Sequence, residues 1–514
     1  MSQRELPPCI ALLPLLALLG CNDAGGDDET ALSAGASEST SESESETGPI
    51  PESLAHDIDI DVVEINQGVA TPIAVAGTWV DGAARNAPIV ANRDSLLRAY
   101  WTLAPSFEPR EILARLTLTS PTLSEPLVRE QILAIEGEPF AGDISRSFTF
   151  DITAELMQPG LTFSLSLWEV EPAFALLPAP ELPPISPRDG NPAQVGVQSE
   201  PMAIEVVIVP HEAQWTDCST QVPIDEVLGG LEDFLYMKNP TQSVTLSVRD
   251  EPIIVTEEPP EWYTLLPAIQ DARTADQAEP NVYYYGILDS CGISLGGYGG
   301  VSWNIVSDQK ASAIERVAVG MHLPGDLQFT YDTFVHEMGH LQGLQHVFCP
   351  GGNAGSPDPT YPYEDGVIGI WGFGVRDFKL RNPTASHDYM TYCYSGNWTS
   401  DWTWSKNFLR IRELTSWDFE SPSPDASEPG TLLFGVFGPE GERWYTQPGT
   451  LPAAKLARER VPVRSVVEGV TLDSLATWHR APHGETEVLT VELGPDARVP
   501  EWLDTPRGLL QPAL

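Results

Sequence analysis

The sequence predicts a multidomain chain: an N-terminal antiparallel β-sandwich, a central α+β or α/β domain, and a small β-rich C-terminal domain. Three observations predict it. From 57 to 200, short apolar-alternating runs at 58–65, 95–103, 112–118 and 162–170 are separated by Pro, Gly and Asn, with no helix of length. From about 201 the character changes to strands and helices in alternation: strand 203–209, helix 224–237, strand 244–248, helix 261–273 and strand 282–288. From about 431 the chain reads as strands again, with 435–441 as a hairpin turn.

Between the last two regions lies the most informative stretch, His336-Glu337-Met338-Gly339-His340-Leu341-Gln342-Gly343-Leu344-Gln345-His346. It reads H-E-x-x-H-x-x-G-x-x-H. The residues before it favour a helix that begins near Thr330 or Asp332. On that helix His336 and His340 are one turn apart and share a face. Two imidazoles so placed can grip one zinc at about 2.0–2.1 Å per bond. Glu337 follows the first ligand, so it faces a water on the open side of the metal rather than the metal itself. His346 would sit about 120° off the shared face if the helix ran on. The chain must break first, and Gly343 supplies the residue that accepts positive φ. Three nitrogen ligands and a vacant fourth position make a catalytic zinc pattern.

The motif resembles that of the metzincin clan of zinc peptidases. Such a resemblance implies a methionine turn beneath the metal, and His387-Asp388-Tyr389-Met390-Thr391-Tyr392-Cys393 fits it. By resemblance, Met390 packs under the imidazoles and Tyr392 supplies a hydroxyl near the metal, as in astacin-like and serralysin-like members. His387 reads as a loop histidine, since three ligands are already supplied. The glycine-rich stretch 296–303 could be the clan's exposed edge strand or a plain loop. Ser400 and Asp401 cap a helix to about Leu414, matching the clan's closing helix. Residues 63–69 and 88–100 resemble a β-domain that precedes peptidase domains in some exported bacterial proteins.

The N-terminus bounds the setting. Residues 6–20 form an apolar run too short to span a bilayer, a signal-peptide core. Leu18-Leu19-Gly20-Cys21 resembles a bacterial lipobox with Cys21 as the lipidated residue; the bland alternative is a plain secretory signal. Residues 22–56, rich in Ser and Glu, read as a disordered acidic tether. The domain expectation is therefore signal and lipobox 1–21, tether 22–56, sandwich 57–200, metallopeptidase 201–425 and accessory domain 426–514. The expected location is the outer membrane or cell surface, or otherwise the secreted fraction, with membrane contact only through the lipid anchor.

Net charge −45 at pH 7 argues against nucleic acid as a partner. With Cys9 removed and Cys21 lipidated, Cys218, Cys291, Cys349 and Cys393 remain, and four cysteines allow three connectivities. Cys349 follows the third histidine and Cys393 follows Met390, which favours that pair and leaves Cys218 with Cys291. Pro178–Pro187 reads equally as a linker or a rigid loop. His479 and His483 lack ligand spacing and read as surface residues. The functional expectation is a zinc endopeptidase acting on a protein or peptide, with Glu337 as general base and Tyr392 as oxyanion donor. The alternative is a catalytically weak zinc-containing binding or adhesion lipoprotein.

Overall fold

The computed structural model describes residues 52–514 except 294–297, 304, 353–354, 356, 394–395, 421–429, 440, 484 and 495. The signal segment, Cys21, most of the acidic tether and Gly296-Gly297 lie outside the described residues. The chain is multidomain in its layering and β-rich, with strands far outnumbering helices. No helix among the described residues is long and apolar enough to cross a membrane, which says nothing of a β-barrel.

In the first region, Ile58–Asn66 lies between Ala70–Val75 and Ser95–Leu103 in an antiparallel sheet that Phe148–Ile152 extends. A second antiparallel sheet sets Arg110–Thr119 between Leu127–Ile135 and Thr162–Glu169. Residues of both sheets, among them Ile60, Val63, Leu97, Ile112, Leu116, Phe163 and Leu165, share one core. Their alternation in sequence is the period of two that puts every second side chain on the buried face. The proline-rich stretch is tied in, because Ile185–Ser186 pairs with Thr162–Glu169.

The second region is built on one mixed sheet. Ala203–Gln214 runs parallel to Ser243–Val248, Ile253–Val255 and Tyr283–Asp289. Tyr283–Asp289 runs parallel to Val317–His322, and Gly300–Ser302 closes that side antiparallel. Ile204, Val206 and Ile208 face one layer, where they share a core with Leu231, Phe334 and Phe408 of the helices Ile224–Lys238, Leu327–Leu341 and Asp401–Ser416. Val209 faces the opposite layer with Leu266 and Ile269 of the helix Trp262–Ala275. A sheet covered on both faces needs apolar residues at odd and even positions alike, as 206–209 supply.

In the third region, Thr431–Gly438 pairs with Gly441–Pro448 and with Glu487–Glu492, which pairs with Ala476–Arg480. Gly435 is within the strand, so the reversal lies between Gly438 and Gly441, narrower than the expected 435–441 turn. Leu432, Phe434 and Val436 belong to the same core as Leu266, Ile269 and Val317. The third region is therefore packed onto the central sheet through a shared apolar layer.

Arg93 joins the first region to the second. It is wholly buried and donates to the carbonyls of Gln67, Tyr236 and Thr241 at 2.8–3.1 Å. Its guanidinium lies 4.1 Å from the Tyr236 ring centroid. Burial pulls its pKa down to about 10, so it stays charged at neutral pH. Arg93→Ala takes a charged donor from three buried carbonyls, of which that of Tyr236 keeps a second donor, Asn239 N at 3.4 Å, at about 1–3 kcal/mol for each group left unpaired. It should lower the melting temperature by several degrees in calorimetry, and an unchanged melting temperature would show that the contact is dispensable.

Candidate metal centre

The histidine helix spans Leu327–Leu341, and Asp326 caps it by accepting from Phe329 N at 3.0 Å. This start is earlier than the expected Thr330 or Asp332. Thr330 instead points its hydroxyl back to accept from Leu323 N at 2.9 Å, and Asp332 pairs with Lys238 at 2.6 Å. Both are used by the tertiary structure, which the capping rule does not see.

The helix stops where the motif requires. Gln342 caps it and Gly343 has φ +93°, so the chain turns and brings His346 back toward His340. A Cβ on Gly343 would meet Arg410 and the Val306 carbonyl oxygen, at 2.3 and 3.1 Å. His336, His340 and His346 are all buried and their rings stand 4.7–5.3 Å apart, centroid to centroid.

Each imidazole is held by its other nitrogen. Nδ1 of His336 lies 2.8 Å from the Tyr389 carbonyl oxygen, Nδ1 of His340 2.8 Å from that of Leu344, and Nδ1 of His346 3.1 Å from that of Gly355. A carbonyl oxygen accepts only, so each Nδ1 carries the hydrogen and donates. Every Nε2 then carries a lone pair toward the centre. Nε2 of His340 and His346 are 3.2 Å apart, and Nε2 of His336 is buried with no hydrogen-bond partner. Two facing lone pairs at that distance repel unless a cation lies between them. A tetrahedron with bonds of about 2.0–2.1 Å has ligand edges of about 3.3 Å, which the 3.2 Å spacing meets. The donor set fits a metal ion held by neutral nitrogen.

Burial also sets the protonation. It pushes the His336 and His346 imidazoles down to about 3 and that of His340 well below its usual value. Burial raises the Glu337 carboxyl to about 7, against the lowering pull of His336. Glu337 Oε2 has no hydrogen-bond partner.

The turn that carries Met390 packs against the histidine helix. Met390 is buried, and a Cβ on Gly339 would stand 2.3 Å from its Sδ, so the glycine inside the motif makes room for the methionine. Asp388 holds the turn. Its carboxylate accepts from Met390 N at 3.0 Å, from the Ser400 hydroxyl at 2.7 Å and from the Thr403 hydroxyl at 2.7 Å. Ser400 caps the helix Asp401–Ser416, so one buried carboxylate ties the turn to that helix. His387 lies in a bridge with Val367 and is not among the histidines whose donor atoms converge. Cys349 is disulfide-bonded to Cys393 and Cys218 to Cys291, with Cα–Cα distances of 6.2 and 6.3 Å. The first bond ties the loop after His346 to the turn. Two disulfides suggest an extracellular or periplasmic chain.

Sequence reasoning missed His483. Expected at the surface, it is buried, and its ring stands 5.0 Å from His340, 5.0 Å from His346 and 5.7 Å from His336. The four histidines offer donor atoms all within 4.8 Å of one another. Burial pushes its imidazole down to about 3 as well. His479 is not simply exposed either: its side chain is buried with Nδ1 3.6 Å from Glu459. No spacing rule reaches from 346 to 483; only the packing of the third region on the sheet brings them together. Tyr392 does reach the group, but its hydroxyl hydrogen-bonds His483 Nδ1.

A cleft of about 510 Å³ opens onto the group. Tyr298, Gly299, Gly300, Phe329 and Thr333 line one part of it, with Glu337, Tyr392 and His483 at its base. Gly300–Ser302 is the terminal strand of the sheet among the described residues. A Cβ on Gly300 would stand 2.7 Å from the Val319 carbonyl oxygen and 3.0 Å from Glu337 Cγ, so glycine lets the strand pass close to the carboxylate.

No protein-family model matches the chain, and no curated protein matches it. One similar solved structure is that of a candidate β-galactosidase from Bacteroides fragilis, 9% identical with a TM-score of 0.14, covering 85% of this chain and 69% of that one. A likeness that weak carries no argument.

His340→Ala should abolish stoichiometric metal binding in elemental analysis of the dialysed protein; a full equivalent retained would contradict the site. Acid should destabilise the metal-free chain. Unfolded histidine titrates near about 6.5, whereas folded His336, His346 and His483 are held to about 3 and His211, away from the site, to about 4. Between those values each of these histidines binds a proton in the unfolded chain and not in the folded one. Together they outweigh the Glu337 carboxyl, raised to about 7, that works the other way, so stability rises with pH across the window and is lost as pH falls below 6.5. Calorimetry on chelated protein should give a lower melting temperature at pH 4.5 than at pH 7; the reverse order would refute the neutral, buried imidazoles.

Proposed function

We propose that the chain is a zinc-dependent endopeptidase of the metzincin kind, exported and anchored by lipid at Cys21. The observation that carries the reading is a buried carboxylate, Glu337, beside three convergent imidazoles, with Glu337 and His336 lining an open cleft. The same reading takes the first region as a β-sandwich, the second as the catalytic domain and the third as a β-rich accessory domain. His336, His340 and His346 would hold the ion. A bound zinc would supply a Lewis acid and lower the pKa of a water toward about 7.

Glu337 has the properties a general base needs. Its carboxyl is raised to about 7 by burial, near working pH, where acceptance and return of a proton are both favourable. It would take the water's proton and deliver it to the leaving amine. The terminal strand Gly300–Ser302 offers a backbone edge along which an extended peptide can add as a further strand. That edge favours an unfolded or loop segment of a protein as substrate. Tyr392, whose ring stands 4.8 Å from that of His346, would serve as oxyanion donor once released from His483.

A second reading has one observation in its favour. His483 brings a fourth donor atom within 4.8 Å of the other three, and closed four-ligand sites are structural. A zinc-containing binding or adhesion lipoprotein would need nothing more. A structural site has no use for Glu337, however, whose burial is costly.

Glu337→Gln separates the two. The variant should keep one metal per chain and its melting temperature, yet lose peptide hydrolysis by about 10²-fold or more. Hydrolysis at the wild-type rate in a fluorogenic peptide assay would sink the peptidase mechanism.

A further inference from the structure

We propose that His483 is a fourth protein ligand to the ion held by His336, His340 and His346, and that the third region thereby keeps the site closed. The proposal rests on the metallopeptidase reading of that site for its consequence, though not for its geometry.

Four observations carry it. The six ring-to-ring distances among the four histidines all fall between 4.7 and 5.7 Å, so the rings stand at the corners of a near-regular tetrahedron. Nε2 of His483 is buried and has no hydrogen-bond partner. Glu337 Oε1 is 3.2 Å from it but makes no hydrogen bond with it, and with the Tyr392 hydroxyl accepting from Nδ1 the lone pair lies on Nε2. Nδ1 is engaged by the Tyr392 hydroxyl, the second contact that fixes a metal-bound imidazole in orientation.

The loop that carries His483 is anchored. Tyr263 on the helix Trp262–Ala275 donates its hydroxyl to the His483 carbonyl at 2.7 Å, and Ala481 N donates to the Thr486 carbonyl at 2.9 Å. The flanking strands Ala476–Arg480 and Glu487–Glu492 are paired with each other and joined to the apolar layer on the sheet. His483 is therefore presented by a folded element rather than by a stray side chain.

One imidazole in this position blocks three functions together. It takes the coordination position that hydrolysis needs for water. It stands against the carboxylate of Glu337, where that water would be deprotonated. It occupies the hydroxyl of Tyr392. Withdrawal of His483 would free all three, so the third region acts as a latch that substrate, a partner protein or proteolysis must lift.

The test uses the full-length chain, stripped of metal and loaded with one equivalent of Co²⁺, whose visible spectrum reports its ligands. Acetohydroxamate, a small bidentate anion, is the probe. Wild-type protein should show a four-nitrogen tetrahedral spectrum that the probe leaves unchanged. His483→Ala should still bind one Co²⁺, and its spectrum should shift on adding the probe. If the closed state holds nine molecules in ten, the variant with zinc should also cleave peptide about tenfold faster than wild type. A wild-type spectrum that shifts as readily as the variant's would overturn the proposal, and that arm needs no variant to fold. If the spectra behave as expected but neither protein cleaves peptide, the fourth ligand stands and the peptidase reading fails. If both cleave equally and both take the probe, the peptidase reading stands and the latch fails.

Discussion

Three buried imidazoles aim lone pairs at one point, and the rest of the second region is arranged so that they can. Left without a cation, such a group is unfavourable: the nitrogens repel, and burial withholds the protons that would relieve them. The fold therefore spends its constraints on holding the rings in place. Three backbone carbonyls fix the Nδ1 atoms, and they come from three different segments, the methionine turn, the motif's own break and the loop at Gly355. Asp388 fixes the turn in its place against the helix Asp401–Ser416. The Cys349–Cys393 disulfide then closes the loop after His346 onto the same turn.

The third region changes how that centre is understood. A small β-rich appendix with no motif of its own would ordinarily be set aside as accessory. Here its strand Thr431–Gly438 supplies Leu432, Phe434 and Val436 to the apolar layer under the central sheet. That packing carries a loop across to the cleft and delivers His483 to the imidazole group. Three convergent imidazoles thus meet a fourth buried imidazole that the third region supplies.

What was legible in the sequence follows from how local each signal is. The motif places His336, Glu337 and His340 by helical spacing alone, and Gly343 marks the break because only positive φ fits there. Periodicity is local, so it places strands well: the alternation over 95–103 predicts a strand, and Ser95–Leu103 is one. Helix starts were less legible. Asp326 rather than Thr330 or Asp332 is the cap, because tertiary contacts claimed the other two side chains. His483 and Asp388 were not legible at all. Their roles depend on packing across more than a hundred residues and on a turn anchored to a distant helix, and neither leaves a periodic trace.

The metal centre itself can be put to a direct trial by titrating chelator-stripped protein with Zn²⁺ in a calorimeter, in buffers of different ionisation enthalpy at pH 7. The imidazoles are already neutral in the folded chain, so binding should saturate at one ion per chain and release fewer than one proton per ion. Absence of saturable one-to-one binding, or release of several protons per ion, would contradict a preformed site of buried neutral histidines.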